Sequence, residues 1–393
     1  MEVKLDKPGA VRLKVLPPLA LYVHIPWCVR KCPYCDFNSH ERSGTLPEGE
    51  YVQKLLMDLE GLLPSVWGRR LSSVFIGGGT PSLFTPASID LLLSGVRARL
   101  PVEPDAEITL EANPGAAEAA RFAGFRAAGV NRISVGVQSF DDRMLRALGR
   151  IHGAAEARAA VEDALRSFDN VNLDLMYGLP AQSLEMALAD VQAGIATGVP
   201  HLSAYQLTIE PNTAFYSKPP QLPEHDLSAE MQLSIEERLH GEGFEHYETS
   251  AFARSGHRSR HNLNYWSFGD YLGIGAGAHG KLSFPDRITR HSRVKQPREY
   301  LAAADTLVEQ REVPAGELPF EFMLNALRLV DGFPLDLFTD RTGLPLTVIT
   351  AELEAAEKRG LVERDWQRLR PTQGGRLFLN DLLEFFVPTP QRT

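Results

Sequence analysis

Tyr22-Val-His-Ile-Pro-Trp-Cys28-Val-Arg-Lys-Cys32-Pro-Tyr-Cys35-Asp-Phe37 contains all 3 cysteines of the chain. The residues Leu21–Ile25 at its head read as a buried strand, apolar and closed by Pro26. Behind them, three thiols crowd into one short loop. Disulfide frameworks spread their cysteines and usually hold an even number, so this set points to a metal site in a reducing compartment. Thiolates are the usual ligands of iron–sulfur clusters. Three cysteines on a four-iron cluster leave one iron open, and an open position lets a metal centre bind its substrate directly. The alternative is a zinc site of Cys28, Cys32 and Cys35 with His24 or His40, although structural zinc sites usually pair their cysteines. Trp27, Tyr34 and Phe37 are placed to shield a cluster from water. His24 is either a satisfied polar residue of the strand or a hydrogen-bonding neighbour that tunes the metal.

Outward from this loop, short apolar runs alternate with helical patterns. Strands are expected at Leu21–Ile25, Val74–Gly79, Glu107–Ala112, Ile133–Gln138, Asn172–Tyr177 and Leu202–Ile209. Helices are expected at Tyr51–Leu63, Ala87–Leu100, Ala116–Ala128 (closed by Gly129), Met144–Leu148, Ala154–Arg166 and Leu184–Ala196. Six strand–helix units with apolar strands imply an α/β fold with a parallel sheet. Six are too few for a closed eight-fold barrel, so a partial (β/α)6 TIM-type barrel is the reading, with an open doubly wound sheet as the alternative. Unusual residues gather just after strands: the cysteines, Gly77–Pro81, Glu111–Pro114, Gln138–Phe140, Asp174 and Gly178–Pro180. Ligands of parallel α/β folds bind at that rim.

A proline-rich break at Pro211–Asp226 ends the regular pattern. Beyond it come the less regular Phe244–Phe252, the aromatic His261–Trp266 and the glycine-rich Gly273–Gly280. Helices at Phe320–Leu329, Thr347–Arg359 and Leu377–Phe386, with a hairpin-like wing at Leu361–Leu369, read as a small winged-helix-like module. The expected division is an N-terminal segment 1–20, a barrel 21–211, an α+β extension 212–313 and a C-terminal module 314–393.

The composition fits this picture. Of 393 residues, 44% are hydrophobic and 23% charged, with 32 Gly and 27 Pro, as in a globular chain. The net charge of −9 argues against a broad nucleic-acid surface. The C-terminal module is itself net acidic, which favours packing over DNA binding. The charge-free run Val15–Val29 carries Pro17, Pro18, His24 and Pro26 and is too short to span a membrane. It leads into the cysteines rather than to a cleavage site. The expectation is a cytoplasmic protein whose membrane contact, if any, is peripheral.

The C-x3-C-x2-C loop after a first strand resembles the radical S-adenosylmethionine (SAM) superfamily. The resemblance implies a [4Fe–4S] cluster on Cys28, Cys32 and Cys35, with SAM chelating the open iron and cleaved by an electron from the reduced cluster. More narrowly, Tyr22–Phe37, Phe75-Ile-Gly-Gly-Gly-Thr-Pro81, Glu111-Ala-Asn-Pro114, Ser134-Val-Gly-Val-Gln-Ser-Phe140 and Asn172-Leu-Asp-Leu-Met-Tyr-Gly-Leu-Pro180 resemble the oxygen-independent coproporphyrinogen III oxidase group. Two features depart from the oxidases. Phe37 stands where they carry a fourth cysteine, and only 27 residues precede Cys28. Both features resemble the haem chaperone branch of the group, HemW, as does His261-Asn-Leu-Asn-Tyr265-Trp266.

The resemblance implies SAM contacts at Tyr22, Tyr34, Gly78, Gly79, Thr80, Glu111, Gln138, Arg150 and Asp174, with Thr208 and His279 aligning more loosely. Taken alone, the glycines read as a tight turn, Glu111 as a rim carboxylate and Arg150 as a helix-end charge. His261 is the implied haem ligand, with Tyr265 and Trp266 against the ring and His257 the nearest competitor. The same three residues otherwise read as an aromatic core cluster. The implied function is delivery of haem to apo-haemoproteins such as respiratory enzymes, with a SAM-dependent homodimer allowed. Nucleic acid is not an expected partner. The other reading is an oxidase that makes protoporphyrinogen IX by radical decarboxylation.

Overall fold

The structure, a computed structural model, describes residues 11–388. The beginning of the N-terminal segment and the last five residues of the C-terminal module lie outside the described residues. Six parallel strands, Leu19–Ile25, Leu71–Gly78, Val102–Ala112, Arg132–Gln138, Asn170–Tyr177 and His201–Gln206, stand side by side in chain order. In register, Val23 faces Ile76, Ile76 faces Leu110 and Leu173 faces Leu202, with shifts at Leu19/Ala20, Leu71/Ser73 and Gly136/Gln138. A doubly wound sheet reverses its strand order at a switch point. No reversal occurs here, so the six units wind one way, as in a barrel.

Side chains alternate across these strands. Leu21, Val23, Val74, Ile76, Ile108, Leu110, Ile133, Val135, Val171, Leu173 and Leu202 form one buried core with the crossover helices. The helices end as their sequences dictate. Pro86–Arg99 starts at Thr85, whose hydroxyl accepts the Ser88 N–H, with Pro86 in the first turn. Leu184–Ala196 starts at Ser183, which accepts the Met186 N–H. The opposite strand face is polar: Tyr22, Ser73, Glu107, Glu111, Arg132, Ser134, Asn172, Asp174, His201 and Ser203 alternate with the core positions. That concave polar face carries the chemistry.

The chain after the barrel extends the same sheet to twelve strands. Asp270–Ile274 runs parallel beside the first strand, followed by antiparallel His279–Phe284, Arg287–Arg293 and Leu307–Glu312. At the other edge, Ala251–Ala253 and Glu245–Glu248 pair antiparallel beyond the sixth strand. Asp58 ties the extension to the first crossover helix, accepting the Tyr300 hydroxyl at 2.6 Å and pairing with Arg293 at 3.1 Å. A second core around Phe322, Phe333, Phe338 and Leu353 also takes in Leu13, Phe268 and Ile288, so the C-terminal segment packs against the extension. Its three-stranded sheet runs Phe333–Pro334, Arg368–Pro371, Val362–Arg364. Among the described residues, no helix is long and apolar enough to cross a membrane.

Several expected elements differ. Ala116–Ala128 is two short helices, Ala116–Ala119 and Phe122–Ala127, because the chain turns at Arg121, whose guanidinium binds the Leu83 carbonyl at 2.9 Å. The sixth strand ends at Gln206, short of Ile209. Leu377–Phe386 breaks at Phe378 into Gln373–Leu377 and Leu379–Glu384. Leu335–Thr342, unassigned from the pattern, is a helix closed by Gly343 at φ 71°. His261–Trp266 belongs to a helix, Arg260–Trp266, which leaves His257 in the preceding turn and not on the same helix.

Candidate functional site

The cysteine loop leaves the first strand and is stitched back at its base. Trp27–Cys28 pairs with His40–Glu41, and the Arg42 N–H donates to the Cys28 carbonyl at 2.9 Å. Asn38 Nδ2 reaches the Ala276 carbonyl at 2.9 Å, pinning the loop to the extension. His24 lies beneath it. Nε2 faces the Asn38 carbonyl, an acceptor only, so Nε2 carries the proton and Nδ1 accepts the Tyr22 hydroxyl at 2.9 Å. Both ring nitrogens are spent, which makes His24 a satisfied polar residue.

Cys28, Cys32 and Cys35 line one cavity of about 350 Å3 at the C-terminal rim of the strands. Its wall includes Tyr34, Gly78, Gly79, Thr80, Glu111, Gln138, Arg150 and Asp174, together with Thr208. Tyr22 is not in the wall; it sits behind it on His24 and Phe75. His279 opens the strand His279–Phe284 of the extension and is not in the cavity wall. The cavity also takes in Asn113, Met176, Tyr205 and Leu207, which motif reading left out. Asn113 and Met176 lay inside quoted motif blocks. Tyr205 shares the concave face with Ser203, and strand alternation would have found it.

The glycines work differently from a simple ligand cradle. Gly78 has φ 117°, and a Cβ there would meet the His24 ring at 2.6 Å. A Cβ on Gly79 would meet the Trp27 carbonyl oxygen at 2.6 Å. These positions are glycine so that the second strand's end can lie against the cysteine loop. Thr80 is buried behind them, and its hydroxyl accepts Asn113 Nδ2 at 2.8 Å.

Arg150 does not point into solvent as a helix-end charge. Its Nη2 donates at 2.7 Å to both Asn113 Oδ1 and the Gly136 carbonyl, and Nη1 lies 3.6 Å from Cys32 Sγ. Its Nε is buried with no partner among the described residues. Burial pushes the Cys28 thiol up to about 11 and raises Cys35. On the far wall, Glu111 accepts the Gly78 N–H at 3.1 Å, and Asp174 accepts Ser134 at 2.9 Å and Asn172 at 2.8 Å. Burial, then the neighbouring Asp174, pushes Glu111 up to about 8. Burial also raises Asp174. Gln138 holds φ 69°, a left-handed conformation at a strand end.

This donor set fits a cluster with an organic co-ligand. Three thiols line one space, a cationic guanidinium stands at one sulfur, and the opposite wall supplies the carboxyl groups of Glu111 and Asp174. No group of three His, Cys, Asp or Glu among the described residues is arranged to hold a metal ion. A four-iron cluster gives each cysteine its own iron and asks for wider spacing than one ion does.

The aromatic motif sits elsewhere. The Arg260–Trp266 helix packs on the second barrel strand. Ser259 caps it, accepting the Asn262 N–H, and Glu107 accepts the N–H groups of Arg260 and His261, each at 3.0 Å. The His261 ring is 7% exposed, with Nδ1 3.0 Å from Ser73 Oγ and the ring 5.0 Å from Phe75. Burial lowers its pKa to about 4. The motif helix lies outside the six barrel units, as expected, but it is not apart from them. Its histidine lies against the polar concave face, because Ser73 and Glu107 there satisfy what a buried imidazole and a helix N-terminus require. Tyr265 and Trp266 stack edge to face at 5.1 Å, and Arg328 covers the Trp266 ring.

Residues 22–192 match the model of the radical SAM superfamily, and residues 313–378 match that of the HemN C-terminal domain. Fold and site together define a radical SAM protein. Coproporphyrinogen III oxidase (HemN) from Escherichia coli has the same fold, with a TM-score of 0.79 over 94% of this chain and 90% of that one, at 23% identity. The heme chaperone HemW of Escherichia coli (strain K12) is 52% identical, covering 95% of this chain and 99% of the relative. That of Haemophilus influenzae is 49% identical, covering 95% and 98%. The chain belongs to the heme chaperone HemW family.

Proposed function

We propose that this protein is a haem chaperone that binds haem and delivers it to apo-haemoproteins such as respiratory enzymes. The observation that carries this reading is 52% identity with a heme chaperone over 95% of the chain. In this reading Cys28, Cys32 and Cys35 hold a [4Fe–4S] cluster. SAM occupies the cavity between the cysteine loop and the wall of Gly78, Gly79, Thr80, Glu111, Gln138, Arg150 and Asp174, with Tyr34 beside the cysteines. A reduced cluster held there would supply the electron by which radical SAM chemistry proceeds. The chain's own part is to seat the group, exclude water and present acceptors to SAM's polar atoms. The division into barrel, extension and C-terminal module, a cytoplasmic location with peripheral membrane contact, and a SAM-dependent homodimer belong to the same reading.

His261 is the proposed axial ligand, with Tyr265 and Trp266 at the ring. Histidine is the usual proximal ligand of haem, and a macrocycle needs aromatic partners. The geometry sets a condition. The His261 ring is enclosed between Ser73 and Phe75, so ligation requires the Arg260–Trp266 helix to lift from the barrel.

The test is anaerobic purification and reconstitution, then iron and sulfide analysis, haem titration, and transfer of bound haem to an apo-haemoprotein on one sample. Cluster and haem binding with transfer support the reading. A protein that takes neither haem nor cluster overturns it.

A further inference from the structure

The polar face of the barrel carries a chain of hydrogen bonds from the cavity to the motif helix. Its direction follows from the groups involved. Asp174 accepts, so the amide group of Asn172 facing it at 2.8 Å is the NH2, which also donates to Ser134 at 2.7 Å. Asn172 Oδ1 is then turned the other way, where it accepts the Ser203 hydroxyl at 3.0 Å and faces His201 Nδ1. Nδ1 must carry the proton. Burial holds His201 well below the usual histidine range, so the ring is neutral and Nε2 is an acceptor. Nε2 accepts the Tyr247 hydroxyl at 2.7 Å. The Tyr247 oxygen in turn accepts the Ser259 N–H at 3.1 Å.

Ser259 is the N-cap of the helix that carries His261. Its hydroxyl donates to Glu107 at 3.2 Å, the same carboxylate oxygen that accepts the His261 N–H. Asn172, His201, Ser203, Ser259 and Glu107 are all buried, as is Tyr247. Asn172 Oδ1 and Glu107 Oε1 each take two donors, so the two oxygens join neighbouring links of the chain. Such chains polarise each other along their length. Tyr247 also lines, with Leu263 of the same helix and Arg258, a second cavity of about 690 Å3 against the C-terminal module.

We infer that Asn172, His201 and Tyr247 are positioning residues that couple occupancy of the cluster cavity to the seating of the His261 helix. A ligand in the cavity that donates a hydrogen bond to Asp174 takes up acceptor capacity now given to Asn172. The pull along Tyr247, His201 and Asn172 slackens, and the cap on Ser259 with it. The helix then leaves the barrel more readily, as haem ligation by His261 requires. This rests on the reading that SAM occupies the cavity.

The experiment is hydrogen–deuterium exchange on the reconstituted protein with and without SAM, with SAM affinity measured in parallel. In the wild type, SAM should slow exchange at Gly78–Thr80 and speed it at least about 2-fold across Arg260–Trp266. Tyr247→Phe removes one oxygen that is not in the cavity wall. It should keep SAM affinity and lose the SAM-dependent change in the helix, whatever its absolute exchange rate. His201→Asn is the second interruption and should behave alike. Protection at Gly78–Thr80 with an unchanged helix in the wild type overturns the coupling. So does a SAM response of undiminished size in both variants. Absence of protection at Gly78–Thr80 would instead count against SAM in the cavity, a separate failure.

Discussion

Arg150 stands with Nη1 3.6 Å from Cys32 Sγ, while its Nη2 is gripped by Asn113 and the Gly136 carbonyl, each at 2.7 Å. A guanidinium fixed in this way is a charge-assisted donor to a cluster thiolate, and it favours the more negative, reduced state. Arg150→Met keeps much of the side-chain volume and removes the charge. It should lower the cluster's midpoint potential and weaken SAM binding by about 10-fold or more, in line with other outer-shell changes at metal sites. Redox titration followed by visible absorbance checks the first, and calorimetry the second. An unmoved potential would show that Arg150 serves the fold and not the cluster.

Each of Cys28, Cys32 and Cys35 lines the same cavity. Replacing any one with Ala should abolish the broad cluster absorbance after anaerobic reconstitution, because two thiolates cannot hold a four-iron cluster firmly. Secondary structure by circular dichroism should be unchanged, since the loop is held by its base ladder and Asn38. Stoichiometric zinc without iron in anaerobically prepared wild type would rule the cluster out.

The elements that position this cavity were legible in the sequence because their signals are local. The six strands and their rim motifs depend on apolar periodicity and on glycines needed at particular backbone positions. The concave face was harder to read. Glu107, Arg132, Asn172 and His201 look like scattered polar residues along the chain, and only the strand register brings them together. The same holds for Asp270–Ile274, whose pairing with the first strand spans the whole barrel sequence. His261 was read as a motif, but its burial against Ser73 is a long-range contact that the spacing cannot express.

Glu111 offers a test by pH. Its folded-state pKa, pushed up to about 8 by burial and Asp174, lies above that of an unfolded glutamate. Its contribution to stability is complete below the unfolded carboxylate range and is lost as pH rises through about 8. Glu111→Gln keeps an acceptor for the Gly78 N–H and carries no charge. The melting temperature of this variant relative to wild type should rise from the ordinary carboxylate range up to about pH 8 and level off above it. Thermal unfolding of the metal-free protein at several pH values measures it. A constant difference would mean that Glu111 is ionised throughout.

Phe37 lies beside Cys35 in the cavity wall and is 62% exposed. The oxidases that this chain resembles carry a cysteine at that position. Coproporphyrinogen turnover with SAM and a reductant should therefore be absent or weak under strict anaerobiosis. Product analysis by chromatography decides it. Robust conversion to protoporphyrinogen would favour the oxidase reading over the chaperone.

His261 is asked to do two things, and they can be separated. In the closed structure its ring bonds Ser73 and stacks near Phe75. Removing a buried, hydrogen-bonded group costs about 1–3 kcal/mol of stability. His261→Ala should therefore lower the melting temperature and also weaken haem binding by about 10-fold or more, since about 1.4 kcal/mol of lost ligation already gives that factor. His261→Gln can still reach a polar partner on the barrel but is a poor axial ligand. It should recover part of the stability and none of the haem affinity. His257 lies in the turn before the helix, and His257→Ala should change haem binding least. Haem titration followed at the Soret band, with the cluster spectrum recorded alongside, distinguishes these outcomes. If His261→Gln binds haem as wild type does with an unshifted Soret band, the ligand lies elsewhere. The motif then serves only to close the base of the barrel.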